Sequence, residues 1–272
     1  MQPGKPLTTR IDATVPTAAR MYDHYLGGKD NYAADRAACE QLDKVVPSTR
    51  ALALNNRRFL QRVVGTLTRE FGVRQFLDHG SGLPTQDNVH QVAQRVDPTA
   101  HVVYVDNDPM VLVHGRALLE QDERTTVIHA DMRETEPIFD HPETRRLIDF
   151  SQPVAVLFNS VFHCIPDSET DGPAAVVRRV VERLAPGSYL VMCQLVSEDP
   201  EVRAFVTDFM DQATQGHWGR VRQEKDVAAL FEGLDVLDPG LVEVSTWRPD
   251  NEVTPRQLTQ EWIEFGGVGR LP

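Results

Sequence analysis

Apolar residues fall along this chain in two rhythms. Up to about residue 72 they recur at helical spacing. Ala18, Met21, Tyr22 and Tyr25 stand at i, i+3, i+4 and i+7 and mark one face of a helix that Gly27-Gly28 ends. Further helices are predicted over about 33–44 and 50–71, the second with Leu52, Leu60, Val63, Val64 and Leu67 as its stripe. From residue 74, short apolar runs alternate with helical patterns. Strands are predicted at 75–78, 101–106, 125–131, 153–159 and 188–193, with helices at 86–96, 109–121 and 173–184. The run from Val154 to Phe158 is apolar without alternation, as expected of a parallel strand buried on both faces. A helix near 224–232 and apolar segments at 241–247 and 262–268, read as two last strands, complete the pattern. Such alternation predicts an α/β fold: a Rossmann-like sheet, mostly parallel, with helices on both faces. Residues 1–72 are expected to form a helical arm and cap, with a loose polar arm over the first 15, and residues 73–272 the sheet domain. The 16–32 segment is too short to bury its own core, so Met21, Tyr22, Tyr25 and Leu26 must pack on that domain.

Composition narrows the function classes. The 272 residues carry 28 Lys plus Arg against 40 Asp plus Glu, a net charge of −12, which works against binding the phosphate backbone of nucleic acids. No run of about 18 apolar residues exists to span a membrane, and the first residues lack the apolar core of a signal peptide. A cytoplasmic location is therefore expected, with no membrane or nucleic-acid partner. Cys39, Cys164 and Cys193 have neither zinc nor disulfide spacing and are expected to be reduced thiols, with no metal site.

The candidate chemistry sits at predicted strand ends. The first strand runs into Asp78-His79-Gly80-Ser81-Gly82-Leu83-Pro84, a glycine turn between strand and helix that lets a ligand approach the backbone. The dinucleotide fingerprint needs a third glycine, and position 85 is Thr85. Asp78, two residues before the first glycine, repels a pyrophosphate but suits a cationic amine. Asp106 ends the second strand, where an acid accepts hydrogen bonds from ribose hydroxyls. Asp131 ends the third, where an acid can accept from an adenine amine. All three lie at carboxyl ends of successive strands, where open α/β sheets bind ligands. A ligand with an amine, a ribose and an adenine but no phosphate is S-adenosylmethionine.

At this point the chain resembles the class I S-adenosylmethionine-dependent methyltransferases, and within them an actinobacterial "S-adenosyl methyltransferase" family catalogued as a domain of unknown function. The stretches that carry the resemblance are 19–32 (ARMYDHYLGGKDNY), 76–85 (FLDHGSGLPT), 102–109 (VVYVDNDP), 130–133 (ADMR), 184–190 (LAPGSYL), Trp247-Arg248-Pro249 and 267–270 (GVGR). Departures from the family pattern are His79, the more polar Phe158-Asn159-Ser160 and Gln194-Leu195-Val196. The resemblance implies that Asp78, Gly80 and Gly82 line the methionine side of the donor, that Asp106 with Asn107 holds the ribose, and that Asp131 with Met132 brackets the adenine. It places Asn159 where donor and acceptor meet. Tyr22, Gly27, Gly28 and Asn31 belong to a segment expected to close over the cofactor.

His163 follows the fourth predicted strand and is the candidate general base, its ordinary pKa being near neutral. The expected function is methyl transfer to a small-molecule acceptor. A second reading is a non-catalytic sensor of S-adenosylmethionine or S-adenosylhomocysteine. A nicotinamide oxidoreductase is disfavoured by Asp78 and by the missing glycine.

Overall fold

The computed structural model describes residues 11–84, 87–118, 123–250 and 261–272. The expected sheet forms from β1 (Gln75–His79), β2 (His101–Asp106), β3 (Thr125–His129), β4 (Ala155–Asn159), β5 (Tyr189–Val196), β6 (Asp235–Val236), β7 (Val242–Glu243) and β8 (Ile263–Arg270). Its order is β3-β2-β1-β4-β5-β8-β6, with β7 also on β8. The first five strands are parallel, and β8 runs antiparallel beside β5. The strand order reverses between β1 and β4, and that switch point is where open α/β sheets hold ligands.

The helices are α1 (Ala18–Tyr25), α2 (Ala33–Leu42), α3 (Thr49–Phe71), α4 (Val89–Val96), α5 (Pro109–Leu118), α6 (Thr135–Phe139), α7 (Pro142–Leu147), α8 (Pro173–Val181), α9 (Pro200–Ala213) and α10 (Glu224–Ala228). One sheet face buries Leu77, Val103, Val156, Phe158 and Leu190 against α6, α7, α8 and α10. The other buries Phe76, Val102, Leu157 and Val191 against Phe59, Val63 and Leu67 of α3 and Val92 of α4. The first 72 residues thus divide: α3 is a layer of the sheet domain, while α1 and α2 sit at its carboxyl edge. There Met21, Tyr25, Cys39 and Leu42 pack with Leu195, Met210 of α9 and Trp262.

Differences from the sequence reading have local causes. The 241–247 segment forms only the two-residue β7 and one 3-10 turn, because β6 and β7 share a single edge of β8. Its apolar residues serve packing instead: Trp247 stands edge-on to Phe59, with ring centres 5.6 Å apart. Arg62 reaches up from α3 to donate to the Trp247 and Val244 carbonyls at 2.8 and 2.6 Å. β5 extends to Val196, past the predicted end, since β8 pairs its whole length while β4 pairs it only as far as Cys193. α9 has no counterpart in the periodicity because only Val206 and Met210 are buried on it. Its Asp199-Pro200-Glu201 start was nonetheless a readable signal: Asp199 accepts from the Glu201 and Val202 N–H groups. The 119–121 end expected for α5, Gln86 at the start of the predicted 86–96 helix, Thr85 and the first ten residues of the arm lie outside the described residues. Among the described residues no helix is long and apolar enough to cross a membrane, and no His, Cys, Asp and Glu group could hold a metal.

Candidate functional site

Strand alternation decides what reaches the site. On β1, Asp78 faces the α3 side and His79 the opposite side. On β2, Tyr104 and Asp106 share the face of Asp78; on β4 and β5, Asn159 and Cys193 share it, paired to each other in register. A polar row therefore runs along the carboxyl edge under the start of α3.

At the first turn, Gly80 donates to the Val105 carbonyl at 2.8 Å, which folds the chain back against β2. Gly82 has φ +67°, the left-handed region that disfavours side chains, and a Cβ there would meet no atom within 4 Å. The open side of this glycine leaves room for a ligand at the backbone. Its N–H donates to Asp106 Oδ2 at 2.9 Å, while Asp106 Oδ1 accepts from the Asp108 N–H at 2.9 Å. Each carboxylate oxygen keeps a lone pair for a further donor. Burial pushes the Asp106 carboxyl up to about 6 against these backbone N–H bonds.

Asp78 is buried, and among the described residues nothing hydrogen-bonds its carboxyl. Desolvation drives its pKa up to about 7; Arg57 opposes this and Asp106 adds to it. A buried carboxyl that no described group hydrogen-bonds fits a cationic amine, which would both satisfy and ionise it. A folded pKa above the unfolded value near 4 means stability present at low pH that is lost as pH rises from about 4 through 7. A cationic ligand that pairs with the ionised form restores it. The ligand-induced rise in melting temperature is therefore expected to be larger at pH 8 than at pH 6. Thermal melts with and without S-adenosylhomocysteine measure this, and an equal rise at both values would show that Asp78 does not meet the amine.

Asp131 is clasped by Arg133, whose Nε and terminal nitrogen donate at 2.9 and 2.6 Å. Burial alone would raise its pKa, but Arg133 outweighs that and holds it below the ordinary carboxylate value. Met132 is buried in the core beneath, and Asn107 is exposed, its carbonyl 3.1 Å from His129 Nε2. Asn159 donates to Asn56 Oδ1 of α3 and accepts from the Cys193 thiol at 3.2 Å. In the cap, Tyr22 donates to the Ala53 carbonyl at 3.2 Å. The Asp23 carboxylate occupies the place where a Gly28 side chain would be, so only glycine fits there. Asp23 accepts from the Asp30 N–H and from Asn31 Nδ2, and Arg36 takes Asn31 Oδ1, so the amide of Asn31 is spent within the turn after Gly27.

This cap is fastened across the cradle. Thr17 Oγ1 donates to Asp108 Oδ2 at 3.0 Å, and His114 Nδ1 lies 3.4 Å from Asp30 Oδ2. Ala19 and Tyr32 pack on Leu83 of the glycine loop and on Met110 and Val111 of α5. Inside it, Arg20 is buried against Asp35 at 2.9 Å and lies over the Tyr32 ring.

His163 does not fit the base role. Its ring is buried on Trp218, with centres 4.9 Å apart, and Nδ1 accepts from the Leu195 N–H at 3.4 Å. Nδ1 is thus occupied and Nε2 carries the proton in the neutral ring. Burial, with Arg222 nearby, lowers its pKa to about 3, so it stays neutral but has no free lone pair to offer. His79 stacks on Phe158 in the core of the other face, 4.6 Å between centres.

The sequence reading missed the far end of the polar row. Glu264 of β8 is buried, with Oε1 accepting from Ser160 Oγ and from Asn56 Nδ2. The readable signal was one acid inside the apolar run from Trp262 to Val268.

With this geometry in view, the comparisons with known proteins are specific. The sequence model of a family described as S-adenosyl methyltransferase matches residues 4–272. A crystal structure of a candidate methyltransferase from Thermobifida fusca YX is 43% identical, with 96% of each chain covered and a TM-score of 0.85. A DUF574 family protein from Streptomyces avermitilis MA-4680 is 36% identical over 97% of this chain and 100% of its own, with a TM-score of 0.87. The plantazolicin methyltransferase BpumL, solved with S-adenosylhomocysteine, shares the fold at 10% identity and a TM-score of 0.53, covering 93% of this chain and 96% of its own. No curated protein matches.

Proposed function

Because this chain belongs to the S-adenosyl methyltransferase family, we propose that it methylates a small-molecule acceptor enclosed between the polar row and the α1–α2 cap. The observation that carries this reading is the fastened cover: Thr17 to Asp108, Asp30 to His114, and Tyr32 on Leu83. A cradle closed on both sides admits a small acceptor more readily than a macromolecule, and the net charge of −12 disfavours nucleic acid.

When bound, S-adenosylmethionine supplies a methyl group whose C–S bond pair stays on sulfur while an acceptor lone pair forms the new bond. The chain's own residues bind and orient. Asp78 receives the donor's amine beside the Gly80 and Gly82 backbone. Asp106 offers its two remaining lone pairs to the ribose hydroxyls, next to Asn107. Asp131 Oδ2 and the Met132 backbone face the adenine. Asn159 stands between donor and acceptor. Tyr22 and the Gly27-Gly28 turn, held by Asn31, cover the site and exclude water. Because the sulfonium is already activated, in-line positioning supplies much of the rate.

The test is calorimetric binding of S-adenosylmethionine together with transfer of its labelled methyl group to small-molecule extracts. Binding without transfer to any acceptor favours the sensor reading. In the same assays His163→Ala is expected to lose about 1–3 kcal/mol of stability, the cost of orphaning a buried N–H, with activity falling only as the folded fraction falls. A stable variant that binds donor but transfers about 10²–10⁴-fold more slowly would return His163 to the chemistry.

A further inference from the structure

Glu264 is hard to explain as packing. It lies at the start of β8, opposite Leu195 and two residues beyond the Cys193–Gly266 pair, toward the carboxyl edge. Gly266 brings β8 close, since a Cβ there would strike the Met192 carbonyl and Cys193. Glu264 therefore stands directly over the end of the polar row. Its Oε1 is satisfied by Ser160 and Asn56, but Oε2 is buried with no partner among the described residues, and none of their ion pairs includes it. Ser160, which holds Oε1, follows Asn159 directly and adopts φ +58°, a left-handed conformation uncommon outside glycine. Burial raises the pKa of the Cys164 thiol, in the turn after β4, and the charges of Asp106 and Glu264 raise it further. Tyr22 of the cap also feels Glu264.

We propose that Glu264 is the acceptor-facing residue of this site: Oε2 binds the ammonium of an amine acceptor and takes its proton. The inference rests on the donor reading above and names the substrate class as an amine. One N–H bond of the acceptor ammonium breaks and its electron pair stays on nitrogen as the nucleophilic lone pair. The proton forms an O–H bond at Oε2. Ser160 and Asn56 keep the carboxyl aimed by holding the other oxygen. The titratable groups coupled to Glu264 are Tyr22 from α1, Cys164 after β4, Cys193 from β5 and Glu243 from β7, and Arg57 of α3 acts on Tyr22 and Asp78 in the same row. Among the described residues no ion pair includes Glu264, so the acceptor itself brings its positive partner.

Sinefungin provides the probe. It is a donor analogue whose aminomethine replaces the sulfonium and its methyl, so its ammonium occupies the methyl position. S-adenosylhomocysteine lacks that group. Calorimetry at pH 8 is expected to show the wild-type protein preferring sinefungin by about tenfold to hundredfold, the range of a charge-assisted hydrogen bond. In Glu264→Gln the preference is expected to collapse to about twofold while affinity for S-adenosylhomocysteine is retained. A second readout needs no variant. Burial pushes the Glu264 carboxyl up to about 7, against its bonds from Ser160, Cys193 and Asn56, so the wild-type preference is expected to grow from pH 6 to pH 8 as the carboxyl ionises. A preference that survives Glu264→Gln, or that stays flat between those pH values, overturns the assignment and leaves the donor site standing. Failure of the wild-type protein to bind either ligand overturns both.

Discussion

Asp106→Ala is expected to bind S-adenosylmethionine about tenfold to hundredfold more weakly than the wild-type protein, corresponding to about 1.5–3 kcal/mol for charge-assisted hydrogen bonds. The reason is a double duty. Asp106 accepts the Gly82 and Asp108 backbone N–H groups, one on each oxygen, and these fix the glycine loop and the start of α5. In the proposed donor site the lone pairs that remain would accept from the ribose hydroxyls. The alanine variant loses both the ligand bonds and the loop alignment. Asp106→Asn separates the two. Its carbonyl oxygen still accepts from one backbone group, but its NH2 faces a backbone donor where an oxygen stood. Calorimetry on both variants, with circular dichroism to confirm folding, decides the matter. Unchanged affinity in Asp106→Ala would remove this residue from the donor site.

Asp35→Ala is expected to cost about 3–5 kcal/mol, because it strands a buried guanidinium. Asp35 is fully buried. It takes Arg20 Nε on both oxygens, at 3.1 and 2.9 Å, and also the Thr17 and Tyr32 N–H groups at 3.1 and 2.8 Å. One carboxylate thus ties the entry to α1, the body of α1 and the entry to α2. These three points also position Thr17 on Asp108 and Tyr32 on Leu83, the fastenings of the cap. If the cap opens as a unit, limited proteolysis is expected to cut within 11–48 while the sheet stays protected, and donor affinity falls in proportion to the closed fraction. If the protein melts as one body, the same loss appears as a single transition lowered by roughly 5–10 °C. An unchanged melting temperature with full donor affinity would show that the pair does not hold the cap.

The two parts of the fold were not equally legible. The five parallel strands and most helices could be read because burial on both faces leaves uninterrupted Val, Ile and Leu runs, and helical packing leaves a 3.6-residue stripe. The acids near strand ends were legible for the same reason, although only Asp106 is a strand's last residue: Asp78 stands one residue before the end of β1, and Asp131 two residues past the end of β3. α9 and the fate of 241–247 were not, since one depends on two buried side chains and the other on competition for a strand edge.

By itself, then, the sequence determined the layered α/β architecture, the glycine turn after β1 and the succession Asp78, Asp106, Asp131. Each is local, specified by residues close together in the chain. Only the tertiary structure decided which side chains meet across distance. It turned His163 into the core, where Leu195 occupies its lone pair. It brought Glu264, near the end of the chain, against Ser160 and Asn56, and it set the cap on Asp108. Such contacts depend on sheet order and on which face each residue takes. A strand shifted by one residue would exchange the two faces, and that register is settled by packing between elements rather than by any one of them.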